Sequence, residues 1–244
     1  MSKTVAIIPA RFGSSRLPGK PLEQIGGRPM IQWVYEQTRA ADGIGRVLVA
    51  TDDARIGAAV RAFGGELAMT GQHATGTDRL AEVAGALDAE IIVNVQGDLP
   101  LIEPATIAGC VQPLHDDASA GMASPMTPIR DPAEFENPHV VKVVVDGEGC
   151  ALYFSRSPLP YWRGGMPAGV LGRRHIGIYA YRRSLLLELA GAPRSPLEQA
   201  EELEQLRALE RGVRIRMIEV DSAPPEVDTP DDLARVRRMV EGAG

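Results

Sequence analysis

Apolar positions in the first half of the chain fall into two alternating rhythms. Short unbroken runs over 5–9, 47–51, 66–69 and 91–96 read as strands. Between them, Leu80, Val83, Ala84 and Leu87 recur at i, i+3, i+4 and i+7, the spacing that lines one face of a helix. The stretches 30–41 and 54–63 carry the same period. Ile91-Ile92-Val93-Asn94-Val95 is apolar almost throughout, which suits a strand covered on both faces, as in a parallel sheet. This alternation predicts an α/β fold with a doubly wound, mostly parallel sheet.

From about residue 120 the rhythm shortens. Runs over 122–127, 140–145, 151–154 and 176–181 are separated by Pro, Gly and Asp turns, Asp146-Gly147 among them. They predict an antiparallel patch inserted into the α/β domain. Leu197, Ala200, Leu203, Leu206 and Leu209 then mark one further helix, 214–220 a strand and 229–240 a last helix. The expected division is an α/β domain over 1–124 and 183–244, with an insert over 125–182. No internal repeat or low-complexity linker interrupts it.

Composition narrows the function classes. Twenty-six Lys and Arg against 32 Asp and Glu leave a formal charge of −6, which gives no support to a nucleic-acid partner. Any basic site must be local. No apolar run approaches the ~18 residues of a membrane-spanning helix, so no membrane partner is expected. Cys110 and Cys150 are too few for a disulfide framework and lack the CxxC spacing of a metal site. The first residues do not have the layout of a secretory signal. The expectation is a cytoplasmic protein with reduced thiols.

Against that acidic background, RFGSSRLPGKPL (11–22) gathers Arg11, Arg16 and Lys20 on one loop after the first strand. Ligands of open α/β sheets collect at the carboxyl ends of strands. Backbone N–H groups of a Gly/Ser loop can cradle phosphate oxygens while the cations neutralise them. The loop is not a P-loop: five residues separate Gly13 from Gly19, and Pro21 stands where a magnesium-binding hydroxyl would follow the lysine. No GxGxxG is present either. The bland reading is a solvated turn with scattered charge.

Three other stretches could join it. In Asn94-Val95-Gln96-Gly97-Asp98, the aspartate follows a buried strand and emerges at the same edge; read alone, it is a turn residue before Pro100. In Val227-Asp228-Thr229-Pro230-Asp231-Asp232, Thr229 reads as the N-cap, Pro230 as N1 and Asp232 as the acidic N3 partner. Capping is then fully assigned, and Asp228 is left over. Two carboxylates can hold a Mg²⁺ whose other positions go to phosphate and water, although sequence alone does not bring Asp98 and Asp228 together. Ala74-Thr75-Gly76-Thr77-Asp78-Arg79 opens a helix, with Thr75 or Thr77 as cap; its small residues would let a nucleotide approach the helix N-terminus.

Together these pieces resemble the cytidylyltransferases that activate acidic sugars, the 3-deoxy-manno-octulosonate (KDO) cytidylyltransferases above all. The resemblance runs over nearly the whole chain: IIPARFGSSRLPGKPL, TGTDR, NVQGD, YFSRSPLP, RHIGIYAYR, SPLEQAEELEQLR and VDTPDDL. It implies a nucleotidyltransferase-type fold with an antiparallel dimerisation insert, hence a homodimer, and the coupling of CTP to a sugar acid in lipopolysaccharide assembly. It implies that Arg11, Gly13, Arg16 and Lys20 hold the triphosphate, that Ala10, Thr75, Gly76, Arg79 and Gln96 seat the nucleotide, and that Asp98 and Asp228 bind catalytic Mg²⁺. Arg11, Lys20, Asp98 and Asp228 are the expected catalytic set. Arg156, His175, Tyr179, Glu204 and Gln205 would line the sugar-acid pocket.

Each of the last five has a plainer role open to it. Arg156 can pair with a surface carboxylate. His175 and Tyr179, at i and i+4 of one strand, can simply pack. Glu204 and Gln205 can be the solvated side of a leucine-striped helix. The resemblance departs at Gly97-Asp98-Leu99-Pro100, where the family usually carries an acidic residue in place of Leu99. That leaves two alternatives open: the same reaction on a related acid, such as 8-amino-KDO or another small acid, and nucleotide binding without catalysis.

Overall fold

The computed structural model describes residues 3–13, 16–73 and 75–242. Ser14, Ser15 and Ala74 of the stretches singled out above lie outside these residues. The chain forms two compact units, Met1–Ala108 with Pro224–Gly244, and Gly109–Ala223. The insert drawn from sequence, 125–182, falls within the second of these and is shorter than it.

In the first unit the chain runs β1 (Thr4–Pro9), a small hairpin of β2 (Gln24–Ile25) and β3 (Arg28–Pro29), α1 (Met30–Arg39), β4 (Arg46–Thr51), α2 (Ala54–Ala62), β5 (Leu67–Met69), α3 (Gly76–Gly85) and β6 (Ile91–Asn94). The order across the sheet is β5-β4-β1-β6, and every pair is parallel. Ile7, Ile8, Ile92 and Val93 are fully buried, as their unbroken apolar runs require. The register sets Pro9 beside Ala50 and Ile7 beside Asn94. Residues 10–13, 52–53 and 95–98 therefore leave the sheet at one carboxyl edge. The last helix, Pro230–Gly242, returns to this unit through a cluster of Ile25, Met30, Val227, Leu233 and Val236.

A helix absent from the sequence reading, α4 (Pro104–Asp116), follows β6. Its signal was in the sequence: Ile107, Cys110, Val111 and Leu114 keep the helical period across Pro113, and all four are buried. The second unit continues with β7 (Met122–Ile129), α5 (Pro132–Glu136), β8 (Lys142–Val145), β9 (Ala151–Ser155), β10 (Gly172–His175), β11 (Tyr179–Arg182), α6 (Arg183–Gly191), α7 (Pro196–Glu201), α8 (Gln205–Glu210) and β12 (Ile215–Glu219). β10 and β11 lie antiparallel to successive lengths of β7, β8 bridges β10 and β9, and β12 pairs with β7 in parallel.

Two expectations fail here. The strand expected over 176–181 is the junction of two strands. Ile178 N–H bonds the Ile176 carbonyl at 2.7 Å and turns the chain between them. The single leucine-striped helix is two short ones. Glu202 breaks it with φ 53° and ψ 47°, a left-handed conformation that costs a residue with a side chain about 1–2 kcal/mol. A buried ion pair holds the two halves: Arg207 Nη2 and Nε donate to Glu198 Oε1 at 2.5 Å and Oε2 at 2.7 Å.

Candidate active site

The cation-rich loop is built by its glycine. Gly19 sits at φ 74°, its N–H bonds the Phe12 carbonyl at 2.9 Å, and a Cβ there would lie 3.1 Å from the Phe12 ring. The 3-10 turn Lys20–Leu22 starts immediately after it and buries Pro21. The loop thus closes on itself and turns the Lys20 side chain inward, leaving it only 13% exposed.

Asp98 and Asp228, 130 positions apart in sequence, meet at this lysine. Lys20 Nζ donates to Asp98 Oδ2 at 2.9 Å and to Asp228 Oδ1 at 3.0 Å. Arg16 Nη2 donates to the other Asp228 oxygen at 3.0 Å. Two backbone arrangements bring the carboxylates together. Gly97 lets its turn pass close to β1, where a Cβ would sit 3.1 Å from the Pro9 carbonyl. Val227, fully buried in the C-terminal cluster, donates its N–H to the Asp98 carbonyl at 3.0 Å and so fixes the neighbouring Asp228. The helix start frees Asp228 from capping duty. Thr229 Oγ1 accepts from Asp232 N–H at 3.2 Å, and the Asp232 carboxylate accepts from Thr229 N–H at 3.0 Å.

Burial works against the Lys20 charge, but the two carboxylates outweigh it, and its pKa stands raised. Lys20, Arg11, Arg16, Ala10, Gln96, Asp98 and Asp228 line a cavity of about 340 Å³ at the carboxyl edge. Leu99 is not among them: it is 1% exposed and packed in the core. The substitution therefore brings no charge to the cavity and leaves Asp98 in place. No group of three or more His, Cys, Asp or Glu side chains among the described residues is placed to hold a metal ion. Asp98 and Asp228 already converge on one cationic nitrogen, and hard oxygen donors of this kind suit Mg²⁺.

A second cavity of about 430 Å³ shares Arg11 and adds Gly13, Arg79, Asp52, Asp53 and Arg55. Arg79, 4% exposed, is held by Asp52 at 3.0 Å and by Thr70 Oγ1 at 2.5 Å. The Arg55 guanidinium lies over the Phe12 ring and holds the Asp53 carboxyl down at about 2. Thr75, rather than Thr77, caps α3, accepting from Asp78 N–H at 3.1 Å, and Gly76 is the first residue of that helix. Sequence reasoning passed over Asp52 and Asp53. The signal was available: they follow β4 as Asp98 follows β6.

The five residues expected around a sugar acid all belong to the second unit. His175 and Tyr179 lie on different strands, not one, with rings 5.4 Å apart. His175 Nε2 and Ser124 Oγ are 2.8 Å apart, and Ser124 donates to the Ile178 carbonyl at 2.6 Å. The serine's one proton being used, the histidine is the donor to it. Burial, with the Arg174 charge behind it, pushes the imidazole down to about 3, so it is neutral near pH 7. Burial and the Glu204 charge push the Tyr179 phenol up. Its OH donates to Gln205 Oε1 at 3.1 Å. Gln205 is 4% exposed, and its Nε2 has no hydrogen-bond partner among the described residues. Glu204 precedes α8 and is exposed, so the two do not share a solvated face. Among the described residues, Arg156 pairs its guanidinium with no surface carboxylate. Its Nε and Nη1 donate to the carbonyls of Glu201 at 2.8 Å and Pro138 at 3.1 Å.

A parallel sheet whose carboxyl edge carries a cationic loop and two facing aspartates is a nucleotidyltransferase arrangement. Residues 5–215 match the cytidylyltransferase family model, and the chain belongs to that family. It is 53% identical over 245 residues to the 3-deoxy-manno-octulosonate cytidylyltransferase of Syntrophotalea carbinolica, a match spanning 97% of this chain and 98% of that one. It is 54% identical over 244 residues to the enzyme of the same name from Geobacter metallireducens, covering 96% of each. The structure of CMP:2-keto-3-deoxy-manno-octonic acid synthetase complexed with CTP superposes with a TM-score of 0.95 at 48% identity, covering 100% of both chains. The 4-diphosphocytidyl-2C-methyl-D-erythritol synthase of Anaerococcus prevotii shares the fold, with a TM-score of 0.64 at 13% identity and coverage of 98% of this chain and 96% of that one.

Proposed function

We infer that the protein is a CTP-dependent nucleotidyltransferase that couples CTP to the anomeric hydroxyl of KDO, giving CMP-KDO and pyrophosphate. The observation that carries this is the meeting of Asp98, Asp228 and Lys20 in a cavity lined by two further arginines, in a chain with about half its residues identical to KDO cytidylyltransferases along nearly its full length.

The sugar hydroxyl attacks the α-phosphorus, a new P–O bond forms, and the bond to pyrophosphate breaks. Arg11, Arg16 and Lys20 receive the negative charge that gathers on the departing pyrophosphate. Catalysis of this kind rests on positioning and electrostatics. Asp98 and Asp228 would hold Mg²⁺, with Lys20 then turning from them to the phosphates. Such an ion supplies Lewis-acid polarisation of the phosphate and a lower pKa for a bound hydroxyl. Arg156 would anchor the sugar carboxylate. Tyr179, Gln205 and neutral His175 would orient the sugar without exchanging protons. A homodimer, a cytoplasmic location and a place in lipopolysaccharide assembly accompany this reading through the family resemblance. No helix among the described residues is long and apolar enough to cross a membrane.

The test is pyrophosphate release from CTP, Mg²⁺ and a panel of acids that includes KDO and 8-amino-KDO. KDO should be the preferred acceptor. Asp98→Asn should reduce turnover at least ~100-fold with the melting temperature retained, the scale seen when one preorganised charge contact is lost. Near-normal turnover by that variant overturns the assignment of Asp98. CTP binding without pyrophosphate from any acid overturns the enzyme reading.

A further inference from the structure

Arg156 is held by a network that its role as a ligand arginine does not itself require. Glu201 grips it twice: the carboxylate Oε2 accepts the Arg156 backbone N–H at 2.9 Å, and the Glu201 carbonyl accepts Nε at 2.8 Å. The other carboxylate oxygen is tied to the end of β9, accepting from Ser155 Oγ at 2.5 Å. The Arg156 carbonyl is fixed by Lys142, a fully buried side chain. Lys142 Nζ donates to the carbonyls of Arg156, Val140 and Asn137 at 2.5, 2.5 and 2.9 Å. An ammonium has three N–H bonds, and here each has an acceptor.

Two features show what this network achieves. The Glu201 carbonyl is available to Arg156 because the helix ends there, at the left-handed Glu202. Strained backbone of this sort persists where surrounding structure holds it, and it concentrates at functional sites. The donors also divide cleanly. Nε and one hydrogen of Nη1 are used on carbonyls, which leaves Nη2 and the second Nη1 hydrogen without a partner among the described residues. Nη1 and Nη2 are the two prongs of the guanidinium's end fork, and both keep donor capacity for a carboxylate.

We propose that Glu201 is a positioning residue that, with Lys142 fixing the Arg156 carbonyl, aims the Arg156 fork at the carboxylate of the acid substrate. It deepens the reading of Arg156 as the carboxylate anchor and rests on it. Glu201 acts through Arg156 and touches no reacting atom.

The test is a double-mutant cycle on the purified full chain with Arg156→Ala, Glu201→Gln and the pair, measuring KM for KDO, KM for CTP, kcat and melting temperature. Glu201→Gln keeps the shape and replaces one acceptor oxygen with an NH₂ group. It should raise KM for KDO at least ~10-fold, since small misplacement of a binding group costs up to ~100-fold. KM for CTP should stay within twofold, and the double variant should match Arg156→Ala alone. Ser155→Ala, which loosens the carboxylate while leaving its charge, should move KM for KDO in the same direction by a smaller factor. If Arg156→Ala raises KM for KDO and Glu201→Gln leaves it unchanged, or if their effects multiply, the positioning role is overturned. If Arg156→Ala itself leaves KM unchanged, the anchor reading falls and the proposal with it. A Glu201→Gln protein that loses stability and weakens both substrates equally assigns Glu201 a structural role and also overturns it.

Discussion

His175 shows how a residue's type misleads until its surroundings are known. Histidine beside a reacting hydroxyl invites a general-base role. Here the ring is 6% exposed, edge-on to Phe154 and bonded to Ser124, and its pKa of about 3 leaves it a poor base at neutral pH. The same depression has a consequence for stability. The unfolded chain protonates this imidazole near 6.5 and the folded one only near 3, so between these values the unfolded state binds more protons. The contribution is fully present above pH 6.5 and is lost as pH falls towards 3, at up to ~1.4 kcal/mol per pH unit. Urea unfolding of wild type and His175→Gln at pH 7 and pH 5 should therefore show a smaller acid loss in the variant, by up to ~2 kcal/mol. An equal loss in both would show that the histidine titrates normally. None of this was legible in sequence, where His175 and Tyr179 read as neighbours on one strand face. The partner that sets the tautomer, Ser124, is 51 positions away.

Elements were legible where a single pattern governs them. The parallel strands β1, β4, β5 and β6 and the helices between them begin and end close to where apolar runs and periods place them. So does the capped C-terminal helix, whose Thr229–Asp232 box matches its sequence signature. Elements that depend on distant partners were not. Strands β10 and β11 are separated by a turn that Ser124 fastens, and α7 and α8 by a left-handed glutamate joined across by a buried ion pair. The cationic loop belongs to the legible group because its glycine does local work. Gly19→Ala should cost about 1–2 kcal/mol of stability through its positive φ and its crowding against Phe12. It should also lower kcat/KM for CTP, because Lys20 follows directly. Thermal denaturation and steady-state kinetics check both; a variant unchanged in each would mean the turn tolerates a side chain.

For the molecule as a whole, net charge and local charge point in opposite directions. A chain of formal charge −6 repels a triphosphate at long range, yet it lines one cavity with Lys20, Arg11 and Arg16. Such local fields weaken as salt shortens the Debye length. Raising ionic strength from ~50 to ~500 mM should therefore increase KM for CTP several-fold, with a much smaller change in kcat. A salt-independent KM would mean that Arg11 and Arg16 do not meet the nucleotide's charge. The sequence revealed the ingredients of this cavity, and the resemblance assigned them, but no pattern along the chain could show that residues 98 and 228 share a lysine. That is a property of the closed fold.

The hydrogen bond from Val227 to the Asp98 carbonyl gives this site a place in time as well as in space. Synthesis runs from the amino end, so β1, β4, β5 and β6 all leave the ribosome long before Asp228 does. At that stage the chain carries the cationic loop and Asp98 without Asp228. Lys20 gains its second carboxylate only once the stretch around Val227 has joined strands made some 130 residues earlier.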